Sequence, residues 1–282
     1  MKIKTFFVII LLTIFLFNCS EKKEDKKPII TKPFSFTQNE KGTRTNLNPQ
    51  KSIEQMIAEN PNNIDVLLDA ASYYDQKKDF KNAIHYYKKV ISLDKNNIDA
   101  HFNLGAIYTD LQDYNNAINS YKEVIRINPK DFEAIKLLGK VYYFAKQYKL
   151  SIETFNKYLK NNPNDKDVNL VLALAYEENN QLDKSLEIYK NILIKNPNEV
   201  IALYNIGYIY SIQKKWNDAI KYFNQVLSLD PNNYMSIYNL IVAYNTIGDL
   251  DRAEAEYKRL KNINPQLASK FSDLFEVAQE NK

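Results

Sequence analysis

Apolar residues along most of this chain recur at helical spacing, in paired runs separated by short polar breaks. In one stretch Phe102, Leu104, Gly105 and Tyr108 share a face. After the mostly polar residues 110–116, a second face collects Ile118, Tyr121, Val124 and Ile125. Side chains three and four positions apart meet on one side of an α-helix, so each run predicts a helix and each pair a helical hairpin. The pair then repeats. Small residues stand at Ala83, Ala117, Ser151, Ser185, Ala219 and Ala253, each 34 positions from the last. Twelve places before these stand Ala71, Gly105, Gly139, Ala173 and Gly207, with Ile241 the one exception. Tyrosine fills a third column without a miss, at Tyr74, Tyr108, Tyr142, Tyr176, Tyr210 and Tyr244. A fourth, aromatic column runs Tyr87, Tyr121, Phe155, Tyr189, Phe223 and Tyr257. Prolines close the period at Pro129, Pro163, Pro197, Pro231 and Pro265, with Lys95 in that place in the first unit.

Each column has a physical reason. Only Gly, Ala or Ser lets two helices cross closely, so the small columns mark the crossing within a unit. The aromatic columns fill the space between neighbouring units. Each proline ends one helix and suits the start of the next, because it cannot donate the hydrogen bond a continuing turn needs. One such pair cannot bury its own apolar face, so the units are expected to stack. Six full units result: 64–97, 98–131, 132–165, 166–199, 200–233 and 234–267, with no insertion or deletion.

These residues resemble the tetratricopeptide repeat, over about three quarters of the chain. The resemblance implies an all-α fold, a right-handed superhelix of six helix-turn-helix repeats. Both ends need covers, since a terminal unit would otherwise expose an apolar face. At the front, residues 50–63 read as a half repeat. Pro61 is in phase with the later prolines, Ser52 and Gln55 have capping-box spacing, and Ile53, Met56 and Ile57 give an apolar stripe. At the back, residues 268–282 read as a capping helix. Leu267, Phe271, Leu274, Phe275 and Ala278 trace one face, with Ser269, Lys270, Asp273 and Glu276 opposite.

The first residues carry a different pattern. Lys2 and Lys4 precede an apolar run at 6–17 broken only by Thr13. Twelve residues are too few to span a bilayer, which takes roughly 20, and they match the core of a secretory signal peptide, here residues 1–18. Leu16, Phe17, Asn18 and Cys19 then resemble the lipobox of bacterial lipoproteins, in which the cysteine is lipidated. Asn18 departs from the usual Gly, Ala or Ser. Cys19 is the only cysteine, so exported folding relies on no internal disulfide. Lipidation there, through palmitate or a similar acyl group, implies a stable membrane anchor on the outer face of the cytoplasmic membrane or on the outer membrane. Residues 19–49 are polar, rich in lysine and lack any period. They read as a disordered tether with a mean reach of roughly 30 Å.

Composition narrows the function by exclusion. Five glycines are too few for phosphate-cradling loops: Gly42 lies in the tether, three mark helix crossings, and Gly248 lies in a turn. The two histidines, His85 and His101, have no partner at metal-ligand spacing and read as surface or groove residues. Residues 94–99 lack the glycine and closing glutamate of a calcium loop. The net charge of +4 lies in the leader and tether, and from residue 51 onward the balance is about −1, against nucleic-acid binding. No catalytic residue, metal site or cofactor is expected.

In this family the first helix of each unit lines a concave groove that receives partners. Carried over, the resemblance places Ile201, Tyr204, Asn205, Tyr208 and Ile212 in the groove of the fifth unit, continued by Met235, Tyr238 and Asn239 in the sixth. Asn103, Asn205 and Asn239 hold equivalent places, where an amide can bond an extended peptide. The first two units offer Asp65, Asp69, Asp75, Asp99 and Asp110, an acidic lining. Lys136 and Lys140 do not complete the Lys, Arg and Asn set that clamps a C-terminal carboxylate. The expected function is a membrane-anchored scaffold for protein–protein interaction in the bacterial cell envelope. The alternatives are a lipoprotein that captures cell-wall glycan or a secreted peptide and, third, an enzyme with an irregular site.

Overall fold

A computed structural model of the protein describes residues 52–275. The expected signal peptide, the lipidation site Cys19, the tether and the tail of the C-terminal cap lie outside them. Thirteen helices of repeat type follow one another: α1 (Ile53–Glu59), α2 (Ile64–Gln76), α3 (Phe80–Leu93), α4 (Ile98–Asp110), α5 (Tyr114–Ile127), α6 (Phe132–Phe144), α7 (Tyr148–Leu159), α8 (Lys166–Glu178), α9 (Leu182–Lys195), α10 (Val200–Ile212), α11 (Trp216–Leu229), α12 (Tyr234–Ile247) and α13 (Leu250–Ile263). No strand occurs among the described residues. Ser52 closes the expected capping box with Gln55 at the start of α1.

Each even-numbered helix packs on the odd-numbered helix that follows it, and that helix packs on the next unit. First helices of neighbouring units also touch, α6 against α8 and α10 against α12. The first helices therefore form one continuous layer. The tyrosine column staples unit to unit. The Lys88 ammonium lies 5.8 Å from the Tyr108 ring centre, Lys122 6.0 Å from Tyr142 and Lys190 5.7 Å from Tyr210. Where the same place holds asparagine, Asn156 donates to the Tyr176 hydroxyl at 3.2 Å. Tyr114 stacks on Phe144 of the next unit with ring centres 6.3 Å apart.

The crossing inside each unit is the tightest contact. A Cβ added at Gly139 would fall 2.6 Å from the Phe155 ring, at Gly105 2.8 Å from Tyr121, and at Gly207 2.9 Å from Phe223. The rings pack directly against bare backbone. Tyr87, Tyr121, Phe155, Tyr189 and Phe223 are accordingly almost fully buried. In the third unit the second small column adds a bond, Ser151 donating to the Gly139 carbonyl at 2.8 Å.

The turn inside each unit uses one geometry throughout. Lys78, Gln112, Lys146, Asn180 and Lys214 adopt φ near +60°, and Gly248 adopts +83°. Lys78 N donates to Asp75 O and Asp79 N to Tyr74 O, the bond pair of a Schellman cap, and the later units repeat it. Second helices begin with Asp79, Asp113 and Asp249 as N-caps, each bonded to a backbone N–H. Gln147, Gln181 and Lys215 stand in the same place without such a bond.

The C-terminal cover departs from the single helix expected over 268–282. It begins at Pro265 and runs as α14 (Pro265–Ala268), a 3-10 turn (Ser269–Phe271) and α15 (Ser272–Phe275). The reason lies in its bulky residues. Phe271 reaches Tyr238, ring centres 4.9 Å apart, and Phe275 stacks on Tyr257 at 4.8 Å. Phe275 is the next member of the small-residue column after Gly207 and Ile241. Ile241 stands where Gly207 faces Phe223, and Tyr257 keeps 5% of its surface where Phe155 and Phe223 keep none.

Two outcomes follow from the crossing and the caps. Gly139→Ala should destabilise the array by about 1–3 kcal/mol through overpacking, and adding Phe155→Leu should restore part of that loss. Equal melting of Gly139→Ala and wild type would contradict the crossing geometry. Lys215→Asp should supply a missing N-cap and raise stability by about 1 kcal/mol in denaturant titration.

Candidate functional site

The groove expected from the fifth and sixth units is built on α10 and α12. Each first helix is wedged between the second helices on either side and the first helices of adjoining units, so most of its circumference is covered. On α10 the buried residues run Ala202, Leu203, Tyr204, Asn205, Ile206, Gly207 and Ile209. What remains open is a narrow stripe. Ile201 and Tyr208 are half-buried and Ile212 is 47% exposed. Met235, Tyr238 and Asn239 on α12 are half-buried.

Two of the expected groove residues are not surface groups, which corrects their assignment. Tyr204 keeps 3% of its surface and Asn205 none. Tyr204 packs on Phe223, ring centres 5.7 Å apart, and its hydroxyl accepts from Asn239 Nδ2 at 3.0 Å. It is a buttress between the two units. Asn239 also donates to the Met235 carbonyl at 2.9 Å, so its amide N–H groups are committed within the protein. Tyr238 meets Phe271 of this chain's own cover. The structure thus brings Tyr208, Ile212, Ile201 and Met235 together as accessible groups, and turns Tyr204, Asn205 and much of Asn239 inward.

Beneath the stripe lies a polar cluster that sequence reasoning missed. The Asn205 amide, the Tyr189 hydroxyl, the Ser185 hydroxyl and Glu177 Oε2 are all buried, and Ser185 and Asn205 are the groups placed beside the Tyr189 hydroxyl. Tyr189 and Asn205 face each other across the fourth and fifth units. Burial raises the Glu177 carboxyl to about 8, with the neighbouring Glu178 charge adding to it. At neutral pH Glu177 is therefore a neutral acid. Buried polar groups of this kind call for water or a partner group to satisfy them. The available signal was Glu177's place near the end of α8, where Asp75, Thr109, Tyr143, Ser211 and Asn245 stand in the other units.

Basic groups of the third unit are already engaged. Lys136 pairs with Glu133 at 2.6 Å, and Lys140 is buried and held below the usual lysine range by burial and by Lys136. His101 is buried rather than a surface residue, with Nε2 3.1 Å from the Lys95 carbonyl, so it fixes the junction of the first two units. His85 is exposed. Among the described residues no group of His, Cys, Asp and Glu is placed to hold a metal ion. No described helix is long and apolar enough to cross a membrane.

Three family profiles match the chain. The one described as Tetratricopeptide repeat matches residues 98–131 and 200–233, the one described as TPR repeat matches 70–111, and a further Tetratricopeptide repeat profile matches 136–199. No curated protein matches the chain. Among solved structures, YrrB, described as a TPR protein with an unusual peptide-binding site, is 19% identical with a TM-score of 0.58. It covers 66% of this chain and 96% of its own. MamA is 28% identical over 58% of this chain and 95% of its own, with a TM-score of 0.54. PilF of Pseudomonas aeruginosa is 17% identical over 74% and 96%, with a TM-score of 0.57.

The raised Glu177 carboxyl gives a pH signature. The folded chain holds a proton that the unfolded chain releases near 4.5, so stability should fall as pH rises from about 4.5 to about 8 and then level off. Glu177→Gln should flatten that part of the melting-temperature profile. Parallel profiles for the two proteins would contradict the buried placement.

Proposed function

Because the chain belongs to the tetratricopeptide repeat family, we propose that it is a scaffold that holds a protein partner in the groove of its first helices, anchored to a membrane of the bacterial cell envelope through a lipid on Cys19. Scaffolds of this fold generally act by presenting a surface rather than by catalysis. The observation that carries the groove reading is the stripe Ile201, Tyr208 and Ile212. It keeps apolar surface open on a helix otherwise buried nearly all round. Tyrosine suits such a contact, since its ring covers apolar area while its hydroxyl keeps a polar tip. YrrB, of the same fold, is described as having an unusual peptide-binding site, which supports the reading without fixing the partner.

The anchor rests on the leader sequence, Leu16 to Cys19 following the apolar run. It would hold the repeats on the outer side of the cytoplasmic membrane or on the outer membrane.

Two experiments test these proposals. Tyr208→Ala with Ile212→Asp changes only accessible or half-buried side chains, so helicity and melting should stay close to wild type. Partner retention from detergent extract should fall about thirtyfold, the effect of removing an anchor worth about 2 kcal/mol. Retention on isolated cell wall, with no stoichiometric protein partner, would favour glycan capture and overturn the scaffold. Separately, radiolabelled palmitate should enter the wild type and not Cys19→Ala, and equal labelling would refute the anchor.

A further inference from the structure

Charge is divided between the two helix layers. The second helices of the six units carry 15 Lys and Arg against 8 Asp and Glu, and the first helices 3 against 9. The layer that presents the groove is thus acidic and the layer behind it basic. A basic layer by itself is a solvated surface and assigns no ligand. A second observation singles out one place on it. Ile194, in the last turn of α9, is 79% exposed, the most exposed large apolar side chain among the described residues. Its place in the repeat is a polar one everywhere else, held by Ser92, Arg126, Lys160, Ser228 and Asn262. An isoleucine there contributes nothing to the packing of the array.

The groups about Ile194 are cations. Lys190 stands four residues earlier on the same face of α9, and Lys195 follows directly. Lys195 Nζ donates to Asn164 Oδ1 at 2.5 Å, which brings the end of α9 against the junction that follows α7. Lys157 and Lys160 stand at that end of α7, in its last turn and at its C-cap. All four lysines are exposed, and none forms an ion pair with a described residue. The carboxylates of the two junctions are engaged elsewhere. Asp165 accepts from the Tyr158 hydroxyl at 2.7 Å and from Val168 N at 3.0 Å, and Glu199 pairs with Lys166 at 2.8 Å. What remains is a bare apolar tip with four ammonium groups about it.

We propose that this patch on α7 and α9 is a contact for an anionic lipid surface. Ile194 enters the headgroup layer, and Lys157, Lys160, Lys190 and Lys195 meet the lipid phosphates. The occupant is assigned by what the patch demands together. An apolar side chain amid lysines leaves water at a membrane interface while the cations stay among hydrated anions. A protein pocket that buried Ile194 would have to strip four ammonium groups of water and supply a carboxylate for each. The same lipid charge repels the acidic layer of first helices, so the contact also turns the groove away from the membrane. The proposal rests on the reading that Cys19 holds the chain at a membrane. A long tether leaves the orientation of the repeats unset, and this contact sets it.

The test uses the full chain with Cys19→Ala and Ile194→Cys, so that no acyl group is present and the one thiol carries a nitrobenzoxadiazole label. That label brightens on leaving water. Its emission should rise about threefold with vesicles of mixed phosphatidylglycerol and phosphatidylcholine, and fall back in ~0.5 M salt. Pure phosphatidylcholine vesicles should leave it unchanged. The same label at Thr246→Cys, exposed on the first helix α12, should respond to neither. Lys157→Gln with Lys160→Gln and Lys195→Gln should remove most of the rise at unchanged melting temperature. Lys190 is spared because its ammonium also lies 5.7 Å from the Tyr210 ring centre. A silent label at 194, an equal rise with both vesicles, an equal rise at 246, or a rise undiminished in the lysine variant would each overturn the proposal. So would a rise without vesicles that grows with protein concentration, which would assign the patch to a second copy of this chain. If the label stays silent while palmitate still enters the wild type, this inference falls and the anchor stands. If the label responds while the wild type takes up no palmitate, the anchor falls and the lipid contact stands.

Discussion

Everything in this array depends on an aromatic ring packed directly against the backbone of the neighbouring helix. A ring can approach that closely only where the facing residue has little or no side chain. That pairing sets how near the two helices of a unit come, and so the tilt at which the unit presents itself to the next. The tyrosine column, the lysine and asparagine contacts onto it, and the proline-led junctions all assume that spacing. Repetition then multiplies it, since each unit contacts chiefly its neighbours and inherits their geometry.

The same arrangement decides which side chains are left for function. A first helix in such an array is hemmed in on three sides, and only a thin strip of its surface remains open. At the fifth unit that strip is apolar, and at the first two it is acidic. The two ends of one layer therefore differ in chemistry although their backbones are alike. The backbone specifies where a partner can lie, and the substituents along the strip specify what it can be.

Much of this was legible in the chain itself. The four residue columns, in phase over six periods, fixed the helices, their pairing and their stacking, because each column answers a steric demand that the sequence states directly. Other features were not legible. Tyr204 and Asn205 fall at groove positions by spacing, yet the close approach of α10 and α12 covers them, and spacing along one helix carries no information about how near the next helix comes. Tyr204 also satisfies its hydroxyl through Asn239, 35 residues away, a pairing no local pattern announces. His101 looked like a surface residue because its partner is a carbonyl, which leaves no mark in the sequence. The left-handed turns are occupied by lysine, glutamine and asparagine in five units, so the glycine that signals such a turn appears only at Gly248.

The progression Gly207, Ile241, Phe275 along the crossing column gives the array a direction. With each step toward the C-terminus the place grows bulkier, and at Phe275 it is filled by a ring of its own, stacked on Tyr257. A second helix could not cross there. The crossing that the interior units use is thus closed at this position by the packing itself, and a unit of the same kind would need a small residue there.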